Sequence, residues 1–197
     1  MSRRPALTLV ETLVVIAIIG VLVGLLLSAV QKVRGRAAEV RCQNHLRQLG
    51  LAAQNYHAAH NRLPPGVTPN AAPETVGFLG WQARLLPFLE KDAVWRQATA
   101  AAKVEPVDFT KPPHPFATVV PAFTCPADGR TQQPARARDR LTVALGSYLG
   151  SAGTRHARRD GLLFADSAVK LTDVADGTSN TLLAGERPPT PDMWIGW

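Results

Sequence analysis

The chain has 197 residues, of which 46% are hydrophobic and 19% charged, and its formal net charge at pH 7 is +7. This length allows a membrane segment and one modest domain. Lys and Arg form no run of five or more and are not interleaved with aromatic residues, so a solvated basic surface is favoured over a nucleic-acid site. We therefore expect no nucleic-acid partner.

The N-terminal segment 7–30 contains no ionisable side chain except Glu11. A membrane-spanning helix needs about 20 predominantly apolar residues. A helix that is apolar on every face over such a length is unusual in a soluble domain. The sequence therefore predicts a transmembrane helix over residues 7–30. An ordinary secretory signal is the alternative, although its apolar region is usually shorter.

Glu11 is the unusual residue of this segment. A carboxylate at membrane depth is costly unless it is paired or protonated, which makes it a functional residue by default. If the chain is cut between Ala6 and Leu7, the new α-amine lies one helical turn before Glu11. An amine on an adjacent, staggered copy would also reach the carboxylate. Such a pair would fix the register of stacked helices.

The charges that flank the segment give conflicting signals about its orientation. Basic residues before it favour a cytoplasmic N-terminus, and basic residues after it favour the opposite. Charge counting alone tilts toward a cytoplasmic C-terminus, but the motif described next favours a cytoplasmic N-terminus. The basic residues are Arg3 and Arg4 before the segment, and Lys32, Arg34, Arg36 and Arg41 after it.

The stretch "PALTLVETLVVIAIIGVL", residues 5–22, resembles the type III signal of type IV prepilins and type II secretion pseudopilins. In that family Gly and Phe usually occupy the positions of Ala6 and Leu7. The resemblance implies that residues 1–6 are a leader, which a prepilin peptidase removes before Leu7 is methylated. It also implies that Glu11 serves assembly with other pilin-like subunits. A plain membrane anchor and a secretory signal remain the alternatives.

The helix is predicted to continue past the membrane as an amphipathic segment over residues 31–61. No proline interrupts the chain between residues 6 and 63, and "NRLPPG" at 61–66 supplies the break. Residues spaced by three and four predict one face that packs on a domain. They are Cys42, Leu46, Leu49, Ala53, Tyr56 and His60.

Residues 62–197 are predicted to form an α+β head. A short helix is expected within 80–102, and strands are expected within 117–130, 141–154 and 160–186, separated by Asp-Gly turn signals. A small antiparallel sheet packed on the long helix accounts for this pattern, and the fold class is α+β.

Four stretches in order resemble the prepilin-like proteins with domain of unknown function 1559, abundant in planctomycete-type bacteria. They span residues 41–66, "FTCPAD" at 123–128, "SYLGSAGT" at 147–154 and "LTDVADGTSNTLLAGE" at 171–186. This resemblance implies a pseudopilin-like fold with the N-terminus cytoplasmic, one helix in the inner membrane and the head extracytoplasmic. Family members are commonly longer, so the resemblance allows either a C-terminal truncation or a short variant at Trp197.

In that placement the two cysteines, Cys42 and Cys125, are expected to form a disulfide, because extracytoplasmic compartments are oxidising. Two buried thiols are the alternative. Together, the resemblance and the expected disulfide imply a subunit whose leader is removed and whose extracytoplasmic head is joined covalently to its helix.

The loop at 172–181 carries hard oxygen donors suited to calcium. Their spacing does not match an EF-hand, so a turn at Asp176–Gly177 is favoured over a metal site. No other cofactor is expected. The weak calcium candidates are Asp173, Asp176, Ser179 and Asn180.

The sequence contains no GxSxG, HExxH or Walker A motif, and it predicts a non-enzyme. The leading hypothesis is a pilin- or pseudopilin-like subunit of a type IV pilus or a type II secretion-like system. The alternative is a membrane-tethered module that binds glycans or other envelope polymers. A secreted hydrolase, released by an ordinary signal peptidase, is a weaker third hypothesis.

Overall fold

The computed structural model of the protein describes residues 8–68, 79–103, 115–136, 142–154 and 159–187. The chain divides into two compact units, Met1–Val40 and Arg41–Trp197. The predicted leader residues Ala6 and Leu7 lie outside the described residues.

The first helix, α1, runs over Leu9–His60. It ends directly before the stretch "NRLPPG" at 61–66, which was expected to break the helix. Asn61 follows in the left-handed region with φ of 55°, and its N–H donates to the carbonyl of His57 at 2.7 Å. Asn is one of the few residues other than Gly that adopts this conformation readily, so it ends the helix before the prolines begin.

Within the unit Met1–Val40, the large apolar side chains of α1 are exposed. The helix is long and apolar enough to cross a membrane by length and composition. This is compatible with single-pass membrane anchoring.

Within the unit Arg41–Trp197, one face of α1 supplies part of the core. Leu49 and Ala53 of the predicted face are buried, as is Tyr56, and Ala52 joins them because it lies on the same side. His60, by contrast, is exposed and stacks on the ring of Tyr56 with centroids 4.1 Å apart. The face packs against buried residues of the head that include Leu79, Leu85, Leu86, Val120, Phe123, Tyr148 and Leu163.

The single helix expected within 80–102 is instead two. α2 spans Trp81–Leu85 and α3 spans Asp92–Ala101, with a 3₁₀ helix at Leu86–Leu89 between them. Pro87 lacks the N–H that a continuous α-helix would need, and Glu90 adopts φ of 59°. These two residues turn the chain between the helices.

The prediction of a strand within 117–130 is wrong. This stretch forms 3₁₀ helices at Pro115–Ala117, Pro121–Phe123 and Gly129–Gln132. Pro121 cannot donate to a strand ladder and favours a turn conformation, so the apolar residues before it do not pair.

Strands in the described residues are short and antiparallel. β1 (Ala135–Arg136) pairs with β2 (Thr142–Val143). β3 (Tyr148–Gly150) pairs with β4 (Ala184–Glu186), with Tyr148 opposite Glu186. Strands were also expected within 160–186, and there the structure has one regular strand, β4, together with an isolated bridge at Ala165. The α+β class with small antiparallel sheets is confirmed.

A close backbone crossing joins the end of α1 to the head. The N–H of Gly66 donates to the carbonyl of Phe164 at 2.9 Å, and its own carbonyl accepts from Trp81 N–H at 3.0 Å. A Cβ built on Gly66 would overlap the backbone of Leu163. Glycine is required here because no side chain fits between the two backbones.

Candidate functional sites: the helix start and the disulfide junction

The start of α1 is organised by Thr8 and Glu11. The Glu11 carboxylate accepts from the Thr8 backbone N–H at 2.8 Å and from the Thr8 hydroxyl, also at 2.8 Å. The Glu11 N–H in turn donates to the Thr8 hydroxyl oxygen at 3.3 Å. This reciprocal arrangement is a capping box, in which two residues satisfy the free N–H groups of a helix N-terminus.

The capping box gives Glu11 a partner that sequence reasoning overlooked. The pattern "TLVE" at residues 8–11 carries the Thr-x-x-Glu signal, which could have been read from the sequence. Because α1 begins at Leu9, the helix starts two residues after the predicted start of the mature chain at Leu7. A negative side chain in the first turn also interacts favourably with the helix dipole.

Cys42 and Cys125 form a disulfide, as predicted. Their Cα atoms lie 5.3 Å apart, 83 residues distant in sequence, and both residues are buried. The bond joins α1 to the turn that follows the 3₁₀ helix Pro121–Phe123. It ties the helix to the head covalently.

Hydrogen bonds surround the disulfide on both sides. The Tyr148 hydroxyl donates to the carbonyl of Cys42 at 3.3 Å. The N–H of Cys125 donates to the Ser147 hydroxyl at 2.8 Å. His45 Nδ1 lies 2.9 Å from the carbonyl of Thr124. The backbone next to each cysteine is thus held independently of the sulfur–sulfur bond.

Glu186 also lies beside the disulfide, and we call the group Cys42, Cys125, Tyr148 and Glu186 the disulfide junction. A carboxylate oxygen of Glu186 and the two sulfur atoms lie within 4.8 Å of one another. A metal would need thiolates there, and sulfurs joined in a disulfide do not supply them.

Burial, and secondarily the charge of Glu186, raise the pKa of Tyr148 to about 12.

The four sequence stretches that carry the family resemblance meet at this junction. Cys42 comes from the first, Cys125 from "FTCPAD", Tyr148 from "SYLGSAGT" and Glu186 from the end of "LAGE". Their spacing in sequence gives no hint of this convergence. The motif residues thus build one structural contact between α1 and the two-stranded sheet β3–β4.

The calcium candidates lie in an exposed loop. The Asp173 carboxylate accepts from the Lys170 N–H at 3.0 Å, and the Asn180 side-chain amide donates to the carbonyl of Asp176 at 3.0 Å. Gly177 adopts φ of 82°, which matches the predicted turn at Asp176–Gly177. Ser179 lies in the same turn. Calcium binding here stays a prediction.

These features define an α+β protein whose apolar N-terminal helix is compatible with single-pass anchoring in a membrane. The family model described as "Protein of unknown function (DUF1559)" matches residues 31–193, and the chain belongs to that family. The match begins immediately after the predicted span 7–30. No curated protein and no solved structure matches the chain.

Proposed function

We propose that this protein is a non-catalytic, pilin-like subunit. In this proposal a prepilin peptidase cuts between Ala6 and Leu7, and the mature chain assembles with other pilin-like subunits through its N-terminal helix. The helix lies in the inner membrane, with its start at the cytoplasmic side and the head outside. The assembly is a type IV pilus or a type II secretion-like system.

The observation that carries the proposal is the position of Glu11 in α1. It is the single ionisable side chain of the predicted span, and it lies in the first helical turn rather than at a random depth. A plain anchor has no use for a carboxylate there, because burying it in lipid is costly. A subunit that must align with a neighbouring N-terminal amine does have such a use.

The capping box is consistent with this role. The Thr8 hydroxyl and N–H satisfy one carboxylate oxygen of Glu11. A carboxylate can accept further hydrogen bonds, so the remaining oxygen is suited to an ammonium on another subunit. Thr8 thereby holds the carboxylate in place without neutralising its charge.

The disulfide supports an extracytoplasmic head. Disulfides persist in oxidising compartments and are rare in the cytosol. With Cys42 joined to Cys125, the head is expected outside the membrane, which agrees with a cytoplasmic N-terminus and a single span.

Mass spectrometry of the mature N-terminus tests the processing step directly. The proposal expects a chain that begins with N-methylated Leu7. An intact Met1 would instead indicate a plain anchor, and a start near Val30 would indicate an ordinary secretory signal. Either of these two results would overturn the proposal.

The Glu11→Ala variant tests the assembly step. It removes the carboxylate without shortening the apolar segment, so membrane insertion should be unchanged while recovery in assembled filaments is lost. The matched control is Glu39→Ala, because Glu39 lies on the same helix beyond the span and pairs with Arg36 at the surface. Normal incorporation of the Glu11 variant would refute an assembly role.

A further inference from the structure

The head carries an open groove of about 510 Å³ beside α1. Its lining comes from one face of α1, from the end of the 3₁₀ helix Leu86–Leu89 with the turn at 90–91 that follows it, and from the 3₁₀ helix Pro121–Phe123. Small-molecule sites usually have volumes of about 300–1,000 Å³. The groove is therefore large enough for a ligand of several rings, and it lies within the unit Arg41–Trp197.

Four polar side chains line the groove and have no partner in the described part of the protein. Gln48 and Asn55 are seven residues apart on α1, so they lie on the same face two turns apart. Glu90 and Lys91 come from the turn. All four are exposed, and none makes a side-chain hydrogen bond or ion pair with another described residue.

Apolar surface accompanies these polar groups. Leu51 is 54% exposed, and Phe88 and Pro121 also line the groove. A few polar groups set beside apolar surface are typical of sites that fix a ligand by hydrogen bonds while packing on its carbon skeleton. The two side-chain amides each offer both donors and acceptors, which suits hydroxyl groups.

Glu90 holds a backbone conformation that a glycine would adopt at lower cost. It follows the 3₁₀ helix Leu86–Leu89 with φ of 59° and ψ of 33°, and its N–H donates to the Leu86 carbonyl. Left-handed backbone at such a helix end is ordinarily supplied by Gly or Asn. Strained residues of this kind cluster at ligand sites, where the side chain has a use that outweighs the strain.

The charges of the groove indicate the kind of ligand. The negative charge of Glu90 and the positive charge of Lys91 cancel, although the whole chain has a formal charge of +7. An anionic polymer would be drawn to the basic surface elsewhere rather than to this locally neutral groove. A neutral ligand with many hydroxyl groups matches it better.

We propose that this groove binds a neutral oligosaccharide. Gln48 and Asn55 hydrogen-bond its hydroxyl groups from one helix face, the Glu90 carboxylate accepts from a further hydroxyl, and Leu51 packs on the carbon face of a ring. This binding activity goes beyond the subunit function and does not depend on it, since the groove lies within the head.

The test is a calorimetric titration of the full chain in detergent micelles. The probes are pentamers of glucose and of N-acetylglucosamine, with polygalacturonate as the anionic comparator. The variants are the double substitution Q48A/N55A and E90G. The control is R159G, because Arg159 also has a positive φ of 51° and does not line the groove.

Saturable binding of at least one neutral pentamer is expected, with affinity at least tenfold weaker in Q48A/N55A and in E90G and unchanged in R159G. The melting temperature of E90G should be no lower than that of the unchanged chain, because glycine relieves the left-handed strain. Absence of binding to both pentamers, equal affinity in the groove variants, or tighter binding of polygalacturonate would overturn the proposal. If the mature chain did not begin with N-methylated Leu7, the proposed subunit function would fail, but this proposal of oligosaccharide binding would be unaffected.

Discussion

The hydroxyl of Tyr148 donates to the carbonyl of Cys42 at 3.3 Å, although the two residues are 106 positions apart. Tyr148 is fully buried, and it begins β3, whose partner strand ends at Glu186. The contact therefore attaches the two-stranded sheet to α1 at the same residue that carries the disulfide. Two independent bonds hold this junction, and each can be removed separately.

Alkaline pH should weaken the Tyr148 contact. The pKa of Tyr148 is raised from 10.0 to about 12 by burial and by Glu186, so the folded protein keeps the phenol proton that the unfolded chain loses. The stabilisation is fully present below pH 10 and falls as pH rises from 10 to 12. Urea unfolding at a series of pH values measures it.

The matched control for that measurement is Tyr148→Phe. It removes the titrating hydroxyl while keeping the ring in the core, so its stability should be lower at neutral pH and should decline less between pH 10 and 12. Equal alkaline slopes in the two proteins would show that Tyr148 is not the titrating group.

Loss of the disulfide should destabilise the head strongly. The bond closes a loop across 83 residues, and the chain-entropy relation gives about 4–5 kcal/mol for a loop of this length. The double variant C42S/C125S should therefore unfold at a much lower urea concentration than the oxidised protein. The free energy of unfolding is followed by tryptophan fluorescence.

Reductant provides the control for this prediction. It should lower the stability of the unchanged protein toward that of C42S/C125S and leave the double variant unaffected. A loss below about 1 kcal/mol would mean that the surrounding hydrogen bonds hold the junction without the covalent bond.

Local patterns in the sequence revealed part of this architecture. The helical face through Leu49, Ala53 and Tyr56 was predictable because it depends only on spacing along one helix. The disulfide was predicted from the presence of two cysteines in a head that the family resemblance implies to be extracytoplasmic. The capping box at Thr8 and Glu11 was readable too, since both residues lie within one turn.

Other parts depend on contacts that sequence order hides. Strands were expected within 141–154 and 160–186, where β3 and β4 lie. Each has only three residues and they pair across a long stretch of chain, so neither their bounds nor their pairing follows from a local pattern. The apolar run before Pro121 imitates a strand, but the proline favours a 3₁₀ helix instead. The groove needs Glu90 in a left-handed conformation, which no residue-type pattern predicts.

Gly66 should not tolerate a side chain. A Cβ at this position would overlap the Leu163 backbone and approach the Phe164 carbonyl oxygen to 2.9 Å. Gly66→Ala is expected to cost about 1–3 kcal/mol of unfolding free energy, the usual range for overpacking. Urea unfolding of the full chain in detergent micelles is the measurement.

Gly50→Ala is the control for Gly66. Gly50 lies inside α1, and a Cβ built there meets no atom within 4 Å. Alanine at this position should stabilise the protein by about 1 kcal/mol, because glycine is a poor helix former. If both substitutions had the same sign, the close crossing at Gly66 would not be the cause.

Substitutions at the two residues of the capping box should affect different steps: those at Glu11 should affect assembly, and those at Thr8 should affect cleavage of the leader. Glu11→Gln keeps a side-chain oxygen that can accept from Thr8, so the start of α1 at Leu9 is preserved while the negative charge is removed. We expect this variant to be cleaved normally but to be excluded from filaments.

Thr8→Ala removes the hydroxyl that caps the helix, which should lower the stability of the helix start by about 1 kcal/mol. It should lower the cleaved fraction, whereas Thr8→Ser should restore it. Quantitative mass spectrometry of membrane and filament fractions reports both steps. If Glu11→Gln assembled as well as the unchanged chain, Glu11 would serve the helix start alone, and its charge would have no part in aligning subunits.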